Sequence, residues 1–321
     1  MITRHFCFVA ILFTTLFLLA ASCTRIGATI GTVSSNINPD LEYEVIDGRS
    51  IAITRYTGSD TNLSIPASIK GRPVTVIGDD AFHGCRSLTS ISIPSSITTI
   101  GERAFYHCDS LTNINVDTGN SAYSSIDGVM FDKSGQTLVC FPAGKSGTYA
   151  IPSSVATIKH SAFWNCRNLI GITVPSSVFI MGDYAFFDCC SLINISISSS
   201  FTLEDSVFQG CSSLMYINVD PENSTYTSVD GVLFSKNGQT LIFYPAGRDG
   251  TYTIPSSVIT IENLAFSECN NLTSVIIPPS VFIIKDRAFF DCINLTDVSL
   301  SRSTKRTNGA FNEKVQIQYR D

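Results

Sequence analysis

Apolar and polar residues recur along most of this chain in one short order. The copy that starts at Ala81 reads Ala-Phe-x-x-Cys-x-Ser-Leu-x-x-Ile-x-Ile-Pro. Apolar residues two positions apart, as at Ile91 and Ile93, are typical of a strand with one buried face. Pro94 cannot donate to a ladder, so it ends the strand. Each copy therefore predicts a half-buried strand, a turn, a second short apolar run and one tight helical turn at Ala-Phe.

The Ala-Phe position returns through the chain in steps of 22 or 23 residues, apart from two longer steps. Its eight copies begin at Ala81, Ala104, Ala162, Ala185, Val207, Ala265, Ala288 and Ala310. A fixed period in the twenties is typical of a solenoid, in which a unit buries its apolar edge only by stacking on its neighbours. We therefore expect a β-rich leucine-rich-repeat solenoid of stacked units of about 23 residues with parallel concave strands.

Two inserts interrupt the period, at about 117–150 and 220–253. Each long step is 58 residues, which leaves 35 after one 23-residue unit is subtracted. The inserts match each other, so the larger repeat is 103 residues. Each contains two apolar runs joined by a turn with glycine, as in Val129–Phe131 and Thr137–Phe141 around Gly135, which predicts a β-hairpin.

The units and inserts together resemble the BspA-type (Treponema pallidum-type) leucine-rich repeats of bacterial surface proteins. The shared features are Ala-Phe-x-x-Cys-x-x-Leu-x-x-Ile-x-Ile-Pro and the insert's Tyr…Asp-Gly-Val-Leu-Phe…Tyr-Pro-Ala-Gly, over roughly residues 41 to 321. The resemblance implies a curved solenoid without long helices. It also implies a protein that is often displayed on the cell surface, where it binds host or bacterial macromolecules.

Residues 1–23 have the composition of an export signal, with basic Arg4, an apolar run and Ala20-Ala21-Ser22-Cys23. This ending resembles a lipobox, in which Cys23 would carry the lipid, although Leu is the usual residue at the position of Ala20. An ordinary cleaved signal peptide and a retained anchor remain alternatives. A lipidated Cys23 would give a membrane anchor. Residues 24–40 are then expected to act as a flexible tether, which would place the protein at the cell surface, in the outer membrane or at its periplasmic face.

Residues 41–80 predict an N-terminal cap. Two strand-like runs flank Asp47-Gly48, a strong hairpin turn, and Leu63–Pro66 begins a degenerate first repeat. A hairpin here would cover the open end of the array, where an unpaired strand invites another chain. Residues 81–321 are then the repeat region.

Composition narrows the possible functions. The chain has 321 residues, only 15% of them charged, and a net charge of −6 with 21 Lys and Arg. The basic residues are scattered, which argues against nucleic acid as a partner. None of the four His residues stands in a nucleophile–base arrangement, and no repeated acidic pair resembles that of a glycosidase. We therefore predict no enzyme activity, no cofactor and no metal.

Eleven cysteines in an exported chain would normally suggest disulfides. Seven of them occupy one repeat position and would stack in parallel, which is poor geometry for bridging. We therefore favour a ladder of buried thiols, with disulfides as the alternative, and expect Cys140 and Cys190, outside the ladder, to be the more reactive. The ladder residues are Cys85, Cys108, Cys166, Cys189, Cys211, Cys269 and Cys292.

Outward-facing strand residues form the first candidate binding surface. They are small hydroxyl and amide side chains, which suit a protein or glycan, and solenoids commonly bind through a concave face. The alternative is an ordinary soluble strand face. The candidates are Ser92, Asn113, Asn115, Thr173, Asn194, Ser196, Tyr216, Asn218 and Ser299.

A row of aromatic residues two positions after each Ala forms the second candidate. Tyr106, Trp164 and Phe187 belong to this row. Exposed aromatic side chains in line would mark an interaction patch. The alternative is that they pack against the next unit or under an insert.

These observations favour a non-catalytic, exported, adhesin-like protein that binds a host or bacterial surface protein or glycan. The alternative is a periplasmic or envelope structural protein that joins bacterial components.

Overall fold

A computed structural model describes residues 38–198, 203, 206–307 and 309–320, and within these ranges every regular element is a strand. The strands up to the first insert are β1 (Leu41–Ile46), β2 (Ser50–Tyr56), β3 (Asn62–Ser64), β4 (Ser68–Ile69), β5 (Arg72–Ile77), β6 (Ser90–Ile93), β7 (Thr99–Ile100) and β8 (Asn113–Val116). The export signal, the lipid site at Cys23 and most of the tether lie outside the described residues.

The next strands run from the first insert to the second. They are β9 (Tyr123–Ile126), β10 (Val129–Asp132), β11 (Thr137–Cys140), β12 (Gly147–Ala150), β13 (Thr157–Ile158), β14 (Leu169–Val174), β15 (Ile180–Met181), β16 (Asn194–Ile197) and β17 (Tyr216–Val219). The remaining strands are β18 (Tyr226–Val229), β19 (Val232–Ser235), β20 (Thr240–Phe243), β21 (Gly250–Thr253), β22 (Thr260–Ile261), β23 (Leu272–Ile276), β24 (Ile283–Ile284), β25 (Asp297–Leu300), β26 (Lys305–Arg306) and β27 (Gln316–Tyr319).

Successive units stack in register as parallel strands, which confirms the predicted solenoid. The longer strand of each unit joins one of three parallel sheets: β3-β6-β8, β12-β14-β16-β17 and β21-β23-β25-β27. We call their outward side the strand face. The short strands of the second apolar run form a separate set of sheets, for example β11-β13-β15. The inward Leu and Ile side chains of these strands are buried, as the alternating pattern requires, apart from the half-buried Ile317 of β27.

The Ala-Phe segments are turns, so the predicted helical turn is wrong. Residues immediately before Ala and before Cys have positive φ, as Asp80 (φ 55°) and Gly84 (φ 77°) do. Two left-handed residues four positions apart cannot belong to a right-handed helix. Their backbone groups pair between coils instead: the Phe82 N–H donates to the Ala104 carbonyl at 2.8 Å, and the Gly84 N–H donates to Tyr106 at 2.8 Å.

Each insert contains the predicted hairpin and also a complete extra coil. β10 pairs antiparallel with both β9 and β11, and β19 does the same with β18 and β20. The insert then rejoins the array, because β11 pairs in parallel with β13 and β12 with β14. Phe141 occupies the core Phe position of this extra coil, since its N–H donates to the Ala162 carbonyl at 2.8 Å.

The core is a set of three aromatic stacks, one for each block of coils. The first runs from Tyr56 through Phe82 to Phe105, with ring centroids 5.9 and 5.7 Å apart. The second begins at Phe141 and ends at Phe208, and the third begins at Tyr244 and ends at Phe311. Such ring pairs add about 0.5–1.5 kcal/mol each beyond burial. The stacks begin anew at each insert, which divides the core into three clusters.

A buried asparagine attaches the first insert to the preceding coil. Asn120 is 1% exposed, and its Nδ2 donates to the carbonyls of Pro94 (2.9 Å) and Ile97 (2.8 Å). Its Oδ1 accepts from the N–H groups of Ala122 and Tyr123, both at 2.8 Å. The side chain thus satisfies four backbone groups where the chain leaves the regular repeat.

The N-terminal segment is a hairpin of β1 and β2, paired antiparallel. β2 in turn pairs in parallel with β5. At the other end, β27 pairs with β25 and β26 with β24, so they are the last strands of their sheets among the described residues.

Candidate functional site

The strand face consists of three separate surfaces rather than one continuous file. Between the first and second sheets, the β9–β10 turn at Asp127-Gly128 lies against β8. The Ile114 N–H donates to the Gly128 carbonyl at 2.9 Å, and a Cβ on Gly128 would meet Asn113 Oδ1 at 2.6 Å. Gly231 occupies the same place beside Tyr216 in the second insert. The predicted binding residues are therefore aligned within each sheet but not across the inserts.

In the first sheet the predicted residues are aligned across two strands. Ser92 lies opposite Asn115, and Ser90 opposite Asn113. Asn115 is exposed, but its Nδ2 donates to Ser90 Oγ at 3.0 Å. Two of these four side chains, Asn115 and Ser90, are therefore engaged with each other, and the insert turn borders Asn113.

The middle sheet aligns five of the nine predicted residues on three neighbouring strands. Thr173, Ser196 and Asn218 form one row across β14, β16 and β17. Asn194 and Tyr216 stand side by side in the other row. Thr173 and Asn218 are exposed, and Tyr216 is 47% exposed. Unlike the first sheet, this surface combines free amide and hydroxyl groups with an accessible aromatic ring.

An apolar border distinguishes the middle sheet from the other two. The residue just outside the strand face is a threonine in the outer sheets, where the Thr112 hydroxyl donates to the Thr89 carbonyl at 3.1 Å and Thr273 to Gly250 at 3.0 Å. In the middle sheet the corresponding positions are Ile170 and Ile193, which are 43% and 41% exposed. The middle surface therefore has exposed apolar side chains along one side of its polar rows, which is typical of interaction patches.

In the third sheet, one predicted binding residue, Ser299, is not exposed. Ser299 is only 6% exposed, because in the paired strands it lies between the larger side chains of Ile276 and Gln318. Its hydroxyl is therefore not available to a macromolecular partner in this conformation. Alternation correctly placed its backbone in the outward row, but the strand pattern carries no information about the size of neighbouring side chains.

The aromatic row packs on itself, which matches the alternative reading and not an exposed patch. Trp164 is stacked between Tyr106, at a centroid distance of 4.8 Å, and Phe187, at 4.2 Å, with ring planes within 12°. All three side chains are half-buried. Both faces of the indole are therefore covered. The same packing buries Tyr106, and this burial raises the pKa of its hydroxyl.

The seven ladder cysteines are buried free thiols in the structure. Each Sγ lies near the carbonyl of the core aromatic residue in the preceding coil; Cys108 Sγ, for example, donates to the Phe82 carbonyl at 3.0 Å. Burial raises the pKa of Cys166 and Cys211. Cys140, outside the ladder, is half-buried, and burial raises the pKa of its thiol to about 12, which favours the unreactive protonated form.

The described residues contain no group of three His, Cys, Asp or Glu side chains that could hold a metal ion. Nor do they include a helix long and apolar enough to cross a membrane. The ion pairs among the described residues are few and partly exposed, as between Arg103 and Asp80 at 2.9 Å, so they contribute little to stability.

The repeat architecture corresponds to a known family. The family model described as "BspA type Leucine rich repeat region" matches residues 55–144, 139–247 and 240–319. The chain belongs to this family. No protein with a curated description matches it.

The chain is similar to several solved structures, and the likeness to the first of them shows the fold. A leucine rich cell surface protein from Faecalibacterium prausnitzii is 22% identical with a TM-score of 0.51, over 90% of this chain and 95% of that chain. The pneumococcal vaccine antigen PcpA is 23% identical with a TM-score of 0.47, over 84% and 70%. A leucine-rich repeat protein from Eubacterium ventriosum is 20% identical with a TM-score of 0.41, over 88% and 90%.

Sequence reasoning missed that each insert supplies one strand to the strand face. β12 and β21 extend the rows, with Thr148 opposite Gly171 and Thr251 opposite Ser274. A signal was present: Tyr149-Ala150-Ile151-Pro152 has the spacing of Ile91-Ser92-Ile93-Pro94, with Tyr in place of the first Ile.

Proposed function

We propose that this protein is an exported, non-catalytic binding protein, adhesin-like, which captures a protein or glycan on the strand face of its middle sheet. The carrying observation is the alignment of Thr173, Ser196 and Asn218 beside Asn194 and the exposed ring of Tyr216. Membership of a family whose repeats generally serve as non-catalytic binding scaffolds supports the proposal.

The chemistry of the surface favours a partner with many hydrogen-bonding groups. Amide side chains both donate and accept hydrogen bonds, and hydroxyl groups do the same. An aromatic ring with one free face can stack on a sugar ring or a peptide side chain. The exposed Ile170 and Ile193 would add apolar contact along one side of these rows.

The first test is binding of the purified protein to an array of matrix proteins and glycans. A double variant, Asn194→Arg with Asn218→Arg, places two long charged side chains in adjacent rows of the middle surface. The control is Thr99→Arg, which places one long charged side chain at an exposed position of the short-strand sheets. We expect the double variant to lose binding by at least about tenfold, which corresponds to about 1.4 kcal/mol, and the control to retain it.

Binding that the double variant retains would refute the middle surface as the site. Protease treatment of intact cells tests display: loss of the protein supports an adhesin-like role, whereas protection would favour the periplasmic or envelope role. The lipid anchor at Cys23 is tested separately, by mass spectrometry of the mature N-terminus.

A further inference from the structure

A cavity lies where the first insert begins, between the first and second aromatic stacks. It has a volume of about 210 Å³ and is lined by three consecutive coils, through residues 100–106, 139–143 and 159–164. Its inner wall is apolar and includes Phe105, Met130 and Phe141, all at most 8% exposed. The space exists because the stack that ends at Phe105 is not continued by the ring of Phe141.

Two buried polar groups in this wall have no hydrogen-bond partner among the described residues. Ser161 is 7% exposed, and its Oγ has no partner within hydrogen-bond distance, although the Tyr106 side chain lies close enough to interact with it. The indole Nε1 of Trp164 is buried and unpaired. An unpaired buried donor has lost its hydrogen bonds to water without replacement, so such groups are rare in native proteins. Tyr106 and Phe187 cover both faces of the indole. The N–H edge of Trp164 is therefore the part of the ring left for a ligand, and it can only donate.

The rim of the cavity carries more positive than negative groups. The cations Arg103 and Lys159 line it together with one acidic residue, Glu102, and His160. Arg103 is already paired with Asp80 at 2.9 Å. Lys159 is exposed, so its ammonium group remains available to an anion at the mouth.

The second half of the duplication provides an internal reference. A cavity of about 350 Å³ lies at the equivalent place, 103 residues further along the chain. Five of the seven residues at positions 159–165 differ there: Lys159, His160, Ser161, Trp164 and Asn165 correspond to Glu262, Asn263, Leu264, Ser267 and Glu268. Glu262 is moreover paired with Lys285 at 2.6 Å. Among the described residues at these positions, the second block therefore has neither an unpaired cation nor an indole donor.

We propose that the first cavity binds a small carboxylate with an apolar body the size of one aromatic ring. The apolar body of the ligand packs against the wall formed by Phe105, Met130 and Phe141. Its carboxylate accepts hydrogen bonds from Trp164 Nε1 and Ser161 Oγ, close to the positive charge of Lys159. The same chemistry is offered by a free aromatic acid and by the C-terminus of a peptide that ends in an aromatic residue. This site is separate from the strand face of the proposed function.

The test uses the fluorescence of Trp164, which is the single tryptophan of the chain. The purified protein is titrated with 3-phenylpropionate, with its neutral amide, and with a short peptide that ends in a free phenylalanine carboxylate. We expect a saturable change with the acid and at least tenfold weaker binding of the amide. Tighter binding of the peptide than of phenylpropionate would assign the site to a peptide C-terminus, and weaker binding would assign it to a free acid.

Two variants separate the charge from the fold. Lys159→Glu introduces the residue of the second cavity and should weaken binding of the acid by at least tenfold. Lys314→Glu, the same charge change at an exposed position far along the chain, should leave it unchanged. If Lys159→Glu lowers the melting temperature, Lys159→Gln replaces it.

No saturable change in Trp164 fluorescence up to about 10 mM, above the millimolar range of a weak ligand, would overturn the proposal. Equal binding of acid and amide, or unchanged binding to the Lys159 variant, would also overturn it. The strand-face variants should not alter this titration, so the two proposals fail independently.

Discussion

Replacing Asn120 by Ala should destabilise the protein more than almost any other single polar substitution. Asn120 is 1% exposed and makes four hydrogen bonds of 2.8–2.9 Å to the backbone, two as donor and two as acceptor. A typical intramolecular hydrogen bond contributes about 0.5–1.5 kcal/mol net, and leaving its partner buried and unpaired costs more. Four bonds therefore give an expected loss of about 2–6 kcal/mol in the free energy of unfolding.

The consequence should be local first, because each coil contacts only its neighbours. Asn120 joins the start of the insert to the turn at Pro94–Ile97 of the preceding coil. Hydrogen exchange should accordingly show the greatest loss of protection in β8, β9 and β10, and urea unfolding should shift to lower denaturant concentration. Unfolding of a repeat array need not be two-state, so the exchange data decide where stability is lost.

The matched control is Asn218→Ala, which removes an exposed amide from the strand face. Surface substitutions of this kind usually change stability by less than about 0.5 kcal/mol. Unfolding of Asn120→Ala at the same urea concentration as this control would refute the stabilising role of Asn120. Loss of protection outside the first insert and the coil before it would refute it as well.

Two further predictions concern titration and thiol chemistry. Burial, and secondarily the nearby charge of His83, lowers the pKa of His107, so the unfolded state binds a proton first and stability should fall as the pH drops below about 6.5. His107→Gln should abolish this loss of stability at low pH, as measured by urea unfolding. If the loss persists in His107→Gln, His107 is not its cause. His160→Gln, at an exposed position, should leave the loss unchanged. Among the described cysteines, iodoacetamide at pH 8 should modify Cys190 first, as followed by mass spectrometry. Cys140 should react far more slowly, because burial raises its pKa to about 12. Rapid labelling of the ladder thiols in the folded protein would contradict the buried ladder.

The site was only partly predictable. Alternation identified Thr173, Ser196 and Asn218 as outward residues, and the register brings them together on neighbouring strands. It could not identify Ser299 as buried, because exposure depends on the side chains of the two flanking strands. Asn120 and its equivalent Asn223 were missed, although Asn-Ser-x-Tyr recurs in both inserts, because hydrogen bonds to distant backbone groups leave no periodic pattern.

The 23-residue period by itself determined the architecture. When Leu and Ile recur at fixed spacing and no unit can bury them alone, stacking is the only way to remove them from water. The same pattern determined that the inserts are hairpins and that the ladder cysteines share one interior position. These are properties of the local sequence, repeated often enough to be read without the structure.

Only the tertiary structure decided how the coils meet where the repeat is interrupted. Backbone pairing between coils put left-handed residues before Ala and Cys and so removed the expected helical turn. The insert turn at Asp127-Gly128 separated the strand face into independent surfaces. The cavity beside Trp164 arose at the same junction, from segments almost 60 residues apart. Contacts between such distant segments depend on packing in three dimensions, which a linear pattern of apolar and polar residues does not encode.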